Sequence, residues 1–96
     1  MPDTLSTPAQ LPASVLLVDD DVELVGLLRD YLVSDGFSVA VAHDGESALW
    51  RFAAQAPDIA VVDVMMPRFS GIEVLRRIRA RGSLPVLMLT ARGDDE

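Results

Sequence analysis

Four short apolar runs punctuate the chain, and stripes of helical spacing separate them. Val15 to Val18 is continuously apolar and stops at three aspartates, the pattern of a parallel strand buried on both faces. Leu24, Val25, Leu28, Tyr31 and Leu32 then recur at helical spacing, with Asp20 and Glu23 placed for a capping box and Gly36 placed to stop the helix. Phe37 to Ala42 alternates weakly and suits an edge-like second strand, followed by the turn pair Asp44-Gly45. Ala48, Leu49, Phe52, Ala53 and Ala56 make the stripe of a second helix, which Pro57 ends.

Ile59 to Val62 repeats the plan of the first run and ends on a carboxylate, Asp63. Ser70 to Glu73 then reads as a capping box. It opens a third helix carried by Ile72, Leu75 and Ile78, whose arginine-rich end complements the helix dipole before Gly82 closes it. Pro85 to Leu89 is a fourth strand ending at Thr90, and the acidic residues 93–96 read as the first turn of a fourth helix. The order βαβαβαβ predicts an α/β protein, a doubly wound parallel sheet with right-handed crossovers. Ligands of such sheets sit beyond the carboxyl ends of the strands near the topological switch point. Asp19, Asp20, Asp63 and Thr90 all fall there.

Composition narrows the chemistry. Ninety-six residues, 50% of them hydrophobic, make one domain with a core. There is no cysteine, His43 is the only histidine, and all eight basic residues are arginines. Thiolate nucleophiles, Cys-ligated zinc, multi-His metal sites, Schiff-base chemistry and a P-loop lysine are thereby excluded. A net charge of −7 repels phosphate backbones and anionic lipid, so neither direct nucleic-acid binding nor a membrane partner is expected. Residues 1–14 hold three prolines and neither a basic nor an apolar signal region, and read as a flexible leader. No apolar run approaches the roughly 20 residues that cross a bilayer, so the expected location is cytoplasmic.

Carboxylates converging at neighbouring strand ends repel one another, and unless one is protonated the site requires a cation. Magnesium fits, because it prefers oxygen ligands and is typically held by one or two carboxylates plus a phosphate. In a phosphoryl-transfer site of that kind, a carboxylate in line with the donor serves as nucleophile.

The motifs VLLVDDD, VVDVMMPRFSG and PVLMLTAR, in that order and spacing, resemble the receiver domain of two-component response regulators. Residues 15–96 read as a partial receiver domain of flavodoxin-like fold, strand order 2-1-3-4 with the fifth strand missing. The segment from Arg68 onward looks most like receivers of the OmpR-type winged-helix subfamily. The resemblance implies that Asp63 is the phosphoacceptor, that a sensor histidine kinase is the donor partner, and that Mg2+ is the cofactor. It further implies that Asp20 ligates the metal directly, Asp19 largely through water, and Met65 through its backbone carbonyl. Thr90 matches the switch hydroxyl, Ala91 the small residue after it, and Pro67 and Gly71 the positions shaping the loop behind the acceptor. The family's lysine, aromatic switch residue and fifth helix have no counterpart in these 96 residues.

The expected function is a phosphoacceptor module that switches an output, transcription regulation by a separate DNA-binding domain, rather than a turnover enzyme. Two alternatives remain: an aspartate nucleophile phosphatase of haloacid-dehalogenase type, from the D-x-D of Asp19 and Asp21, and a non-phosphorylated pseudo-receiver. Of the other residues, Asp21 reads as a helix start, His43 as a surface residue in a loop away from the carboxyl cluster's sequence neighbours, and Trp50 as partly exposed. Arg76, Arg77, Arg79 and Arg81 read as a solvated helix end. The uncharged fourth strand is expected to act as an open edge and promote self-association.

Overall fold

The computed structural model describes residues 12–66 and 71–89. The element order is β1 (Ser14–Val18), α1 (Val22–Ser34), β2 (Ser38–Ala42), α2 (Gly45–Ala54), β3 (Ile59–Asp63), α3 (Gly71–Arg79) and β4 (Val86–Leu89). The strands form one parallel sheet in the order β2-β1-β3-β4, the doubly wound arrangement read from the sequence. Most of the leader, Pro67 and Ser70, Thr90, Ala91 and the acidic residues 93–96 lie outside the described residues.

The central strand explains the layering. Leu16 and Val18 pack with Ala48 and Phe52 of α2 and with Val74 and Ile78 of α3. Val15 and Leu17 pack instead with Val25, Leu28 and Leu32 of α1. Successive strand residues point to opposite faces, so α2 and α3 cover one side of the sheet and α1 the other. Val15 to Val18 are all buried, as an uninterrupted apolar run in a two-sided sheet must be.

Helix boundaries depart from the sequence reading in three places. Asp21, not Asp20, caps α1, its side chain accepting the Leu24 N–H at 3.1 Å. With the cap one residue later, Glu23 occupies the second helical position and no Asp20–Glu23 box forms. Asp44 likewise caps α2 by accepting the Ser47 N–H at 2.7 Å, so Asp44-Gly45 begins a helix rather than making a free turn. Phe37 belongs to the end of α1 and not to β2. Its N–H donates to the Leu32 carbonyl and that of Gly36 to Val33, both at 3.0 Å, with Gly36 at φ +100°. This is a Schellman cap, completed by the packing of Phe37 and Leu32 in one apolar cluster.

The apolar stripes also shift. On α1, Leu24 and Tyr31 are exposed while Val25 is buried. Ala53 of α2 is exposed, and Ala56 lies beyond the helix. The buried face of α3 is Gly71, Val74 and Ile78, and Ile72 is exposed. At about 100° per residue, Val74 and Ile78 stand roughly 40° apart around the axis, whereas Ile72 and Ile78 stand about 120° apart. Trp50, off the stripe of α2, is exposed as expected.

Candidate functional site

Strands β1 and β3 end alike. The Oδ1 of Asp19, just past β1, accepts the Asp21 N–H at 2.9 Å, and the Oδ1 of Asp63, the last residue of β3, accepts the Met65 N–H at 3.0 Å. Each is an Asx turn in which a carboxylate holds the amide two residues on. Because Val18 lies opposite Val62 in the parallel ladder, the next residue of each strand, Asp19 and Asp63, meet side by side. Asp20 joins them, and ligand oxygens of Asp19, Asp20 and Asp63 all lie within 4.8 Å of one another. Asp19 and Asp63 are buried while Asp20 is exposed, so two carboxylates are sheltered and the third opens to solvent.

Burial pushes the Asp19 carboxyl above its ordinary value of 3.8, and the Asp63 and Asp20 charges push the same way, against the Asp21 N–H that favours the anion. Ion pairs among the described residues, Arg29–Asp30 and those of Arg76 and Arg77 with Glu73, lie elsewhere. Two like charges 4 Å apart repel by about 1 kcal/mol in water and about 4 kcal/mol near a protein surface. The donor set is three carboxylates without sulfur, which suits a hard, oxygen-preferring divalent cation and not a soft one.

Other parts of the sequence reading find their places around this cluster. The described contact of Met65 is its N–H to Asp63, and its side chain is exposed. Thr90 lies outside the described residues, but its neighbour Leu89 is in register with Asp63 and accepts the Val64 N–H at 2.9 Å. Gly71 acquires a steric reason: a Cβ there would collide with the Asp63 carbonyl oxygen and stand 2.9 Å from the Val64 Cα. Asp21 turns away to cap α1, which removes the second aspartate of the phosphatase-like D-x-D from the cluster.

One assignment needs correction. His43 is exposed, yet it is not remote from the carboxylates: its Nδ1 lies 3.1 Å from the Asp19 backbone oxygen. The parallel pairing of β1 with β2 sets Val18 opposite Ala42, which brings residues 19 and 43 together. That adjacency follows from strand order and is invisible in the 24-residue sequence separation.

Comparison with known proteins decides the family. The response regulator receiver domain model matches residues 15–96. The chain belongs to the response regulator receiver family. This receiver is 49% identical over 81 residues to the transcriptional regulatory protein CpxR of Escherichia coli, covering 84% of this chain and 34% of the relative. It is 51% identical over 79 residues to the response regulator MprA of Mycobacterium avium, covering 81% and 35%. The chain thus spans about a third of the length of the curated relatives it matches. Among solved structures, the receiver resembles chemotaxis protein CheY4 of Vibrio cholerae with a TM-score of 0.82 at 31% identity, covering 86% of this chain and 72% of that one. It resembles TrrA of Thermotoga maritima, solved in complex with Mg2+-BeF, with a TM-score of 0.78 at 33% identity, covering 84% and 71%.

Proposed function

We propose that this chain is the phosphoacceptor module of a response regulator, with Asp63 taking the phosphoryl group from a sensor histidine kinase. The observation that carries the reading is the buried Asp63 carboxylate at the end of β3, within 4.8 Å of the ligand oxygens of Asp19 and Asp20. A carboxylate oxygen of Asp63 attacks the phosphorus, the bond from phosphorus to the kinase imidazole nitrogen breaks, and an acyl phosphate forms as the imidazole leaves with its electron pair. Asp20, the exposed carboxylate, and the Asp63 carboxylate would hold Mg2+ directly, together with the Met65 carbonyl, while Asp19 would act through water. When bound, Mg2+ neutralises the oxygens of the transferring group. The Mg2+-BeF complex of TrrA, a structural relative, supports that choice of ion. Thr90, next in the chain after Leu89, is the hydroxyl that answers the new charge and biases β4 between two states.

The output is transcription regulation of the kind named for CpxR, through a DNA-binding part of OmpR type, and the working place is the cytoplasm. Among the described residues β4 pairs only with β3, and Leu87 is 55% exposed, which supports self-association of the 96-residue polypeptide along that edge. Light scattering at rising concentration should report dimers that Leu87→Lys disperses, and a monomer throughout would remove this part of the reading.

The main test is incubation with acetyl phosphate and Mg2+, followed by intact mass and peptide mapping. A Mg2+-dependent, base-labile phosphoryl adduct on Asp63 is expected, and none in Asp63→Asn. Equal labelling of Asp63→Asn at another residue would overturn the assignment.

A further inference from the structure

The geometry points to His43 as a positioning residue of the carboxylate cluster, its ring holding the Asp19 peptide so that Asp19 and Asp20 stand ready for a divalent cation. The inference rests on the reading of Asp19, Asp20 and Asp63 as a cation site. Asp19 is held at three points. Its N–H donates to the Ala42 carbonyl at 3.1 Å, its carbonyl faces the His43 Nδ1 at 3.1 Å, and its Oδ1 accepts the Asp21 N–H at 2.9 Å. The first two attach β1's end to the end of β2, and without His43 the Asp19 carbonyl keeps no partner among the described hydrogen bonds.

A carbonyl oxygen only accepts, so the ring nitrogen facing it carries the hydrogen. The neutral imidazole is therefore the Nδ1–H tautomer, with the Nε2 lone pair left over. The peptide following this carbonyl is the one that leads into Asp20, the exposed carboxylate of the cluster. Fixing that peptide plane fixes the direction in which Asp20 departs. Groups that orient metal ligands from behind commonly change metal affinity by 10-fold or more when removed, although they never touch the ion.

Asparagine can place its amide nitrogen about where the histidine Nδ1 sits, whereas glutamine carries it one methylene too far and alanine has no donor. Mg2+ titrations followed by calorimetry and by melting temperature should give about 10-fold weaker binding for His43→Ala and His43→Gln, with His43→Asn close to the parent. Circular dichroism of the metal-free variants establishes that each is folded. Long-range proton–nitrogen correlation of the labelled ring in mildly alkaline buffer should report the Nδ1–H tautomer in the parent. A parent with no saturable Mg2+ response would overturn the cation site itself, and this role with it. Saturable binding in the parent that His43→Ala leaves unchanged, or a neutral Nε2–H ring, would overturn the role of His43 alone.

Discussion

Gly71 lies against Asp63 so closely that a Cβ at position 71 would overlap the Asp63 carbonyl oxygen and approach the carbonyl carbon to 2.8 Å. The first residue of α3 is thereby seated on the last residue of β3, and the Gly71 N–H reaches the Val64 carbonyl at 3.3 Å. The obstructing atoms are backbone, which cannot rotate aside as a side chain would.

Gly71→Ala is therefore expected to lower stability by about 1–3 kcal/mol, the usual range for overpacking. Gly26, inside α1 with nothing within 4 Å of an added Cβ, gives the opposite sign. Gly26→Ala should gain about 0.5–1 kcal/mol from helix propensity. Urea melts of both variants beside the parent measure the two signs together.

Asp19 sets a pH dependence whose direction is fixed. Its carboxyl binds a proton more tightly in the folded than in the unfolded chain. Its contribution to stability is fully present below the unfolded value of 3.8 and is lost as pH rises through the higher folded value. At neutral pH, with no divalent cation present, the ionised Asp19 opposes folding. Asp19→Asn should melt above the parent in neutral buffer containing chelator, and the gap should close as the pH falls below the ordinary carboxylate value. Mg2+ at 100 times its dissociation constant would stabilise the parent by about 2.7 kcal/mol and narrow the gap from the other side.

Capping assigns different weights to neighbouring acids. Asp21→Ala removes the acceptor for the Leu24 N–H and should cost about 1 kcal/mol. Glu23→Ala, in the second helical position, should change stability by no more than a few tenths of a kcal/mol. A larger loss in Glu23→Ala than in Asp21→Ala would restore the capping box that the sequence alone implies.

Two isoleucines of α3 separate a buried site from an exposed one. Ile78 is 0% exposed and touches the α2-side core, while Ile72 is 47% exposed. Ile78→Ala should cost about 2–5 kcal/mol through lost burial and the cavity left behind. Ile72→Ala should stay within about 0.5 kcal/mol of the parent. Chemical melts of the two variants give the comparison directly.

The contrast between these residues also explains what the sequence could and could not reveal. Val15 to Val18 and Ile59 to Val62 were legible as buried strands because a two-sided parallel sheet leaves an unbroken apolar run, and both runs ended on carboxylates that do meet. Helix faces were less legible, since Ile72 and Val74 are both apolar and only docking on the sheet selects Val74. Cap identity depended on which aspartate of the run faces the cluster, a tertiary matter. His43 beside Asp19 required strand pairing, not spacing. Gly71 was marked by resemblance, and the reason for it, backbone against backbone, has no trace in composition.

On the proposed function, three carboxylates within 4.8 Å, in a chain of net charge −7, would also impose an order of arrival. A phosphodonor carries about two negative charges at neutral pH, and inside roughly one Debye length, about 8 Å at physiological salt, it is turned back by the bare cluster. A divalent cation is drawn in by the same field and cancels the repulsion that it followed. The encounter would thus be sequential, cation before donor. Steady measurements with both components in excess conceal that order, whereas rapid mixing of donor plus Mg2+ with cation-loaded and with cation-free protein would separate it as a lag present only in the second.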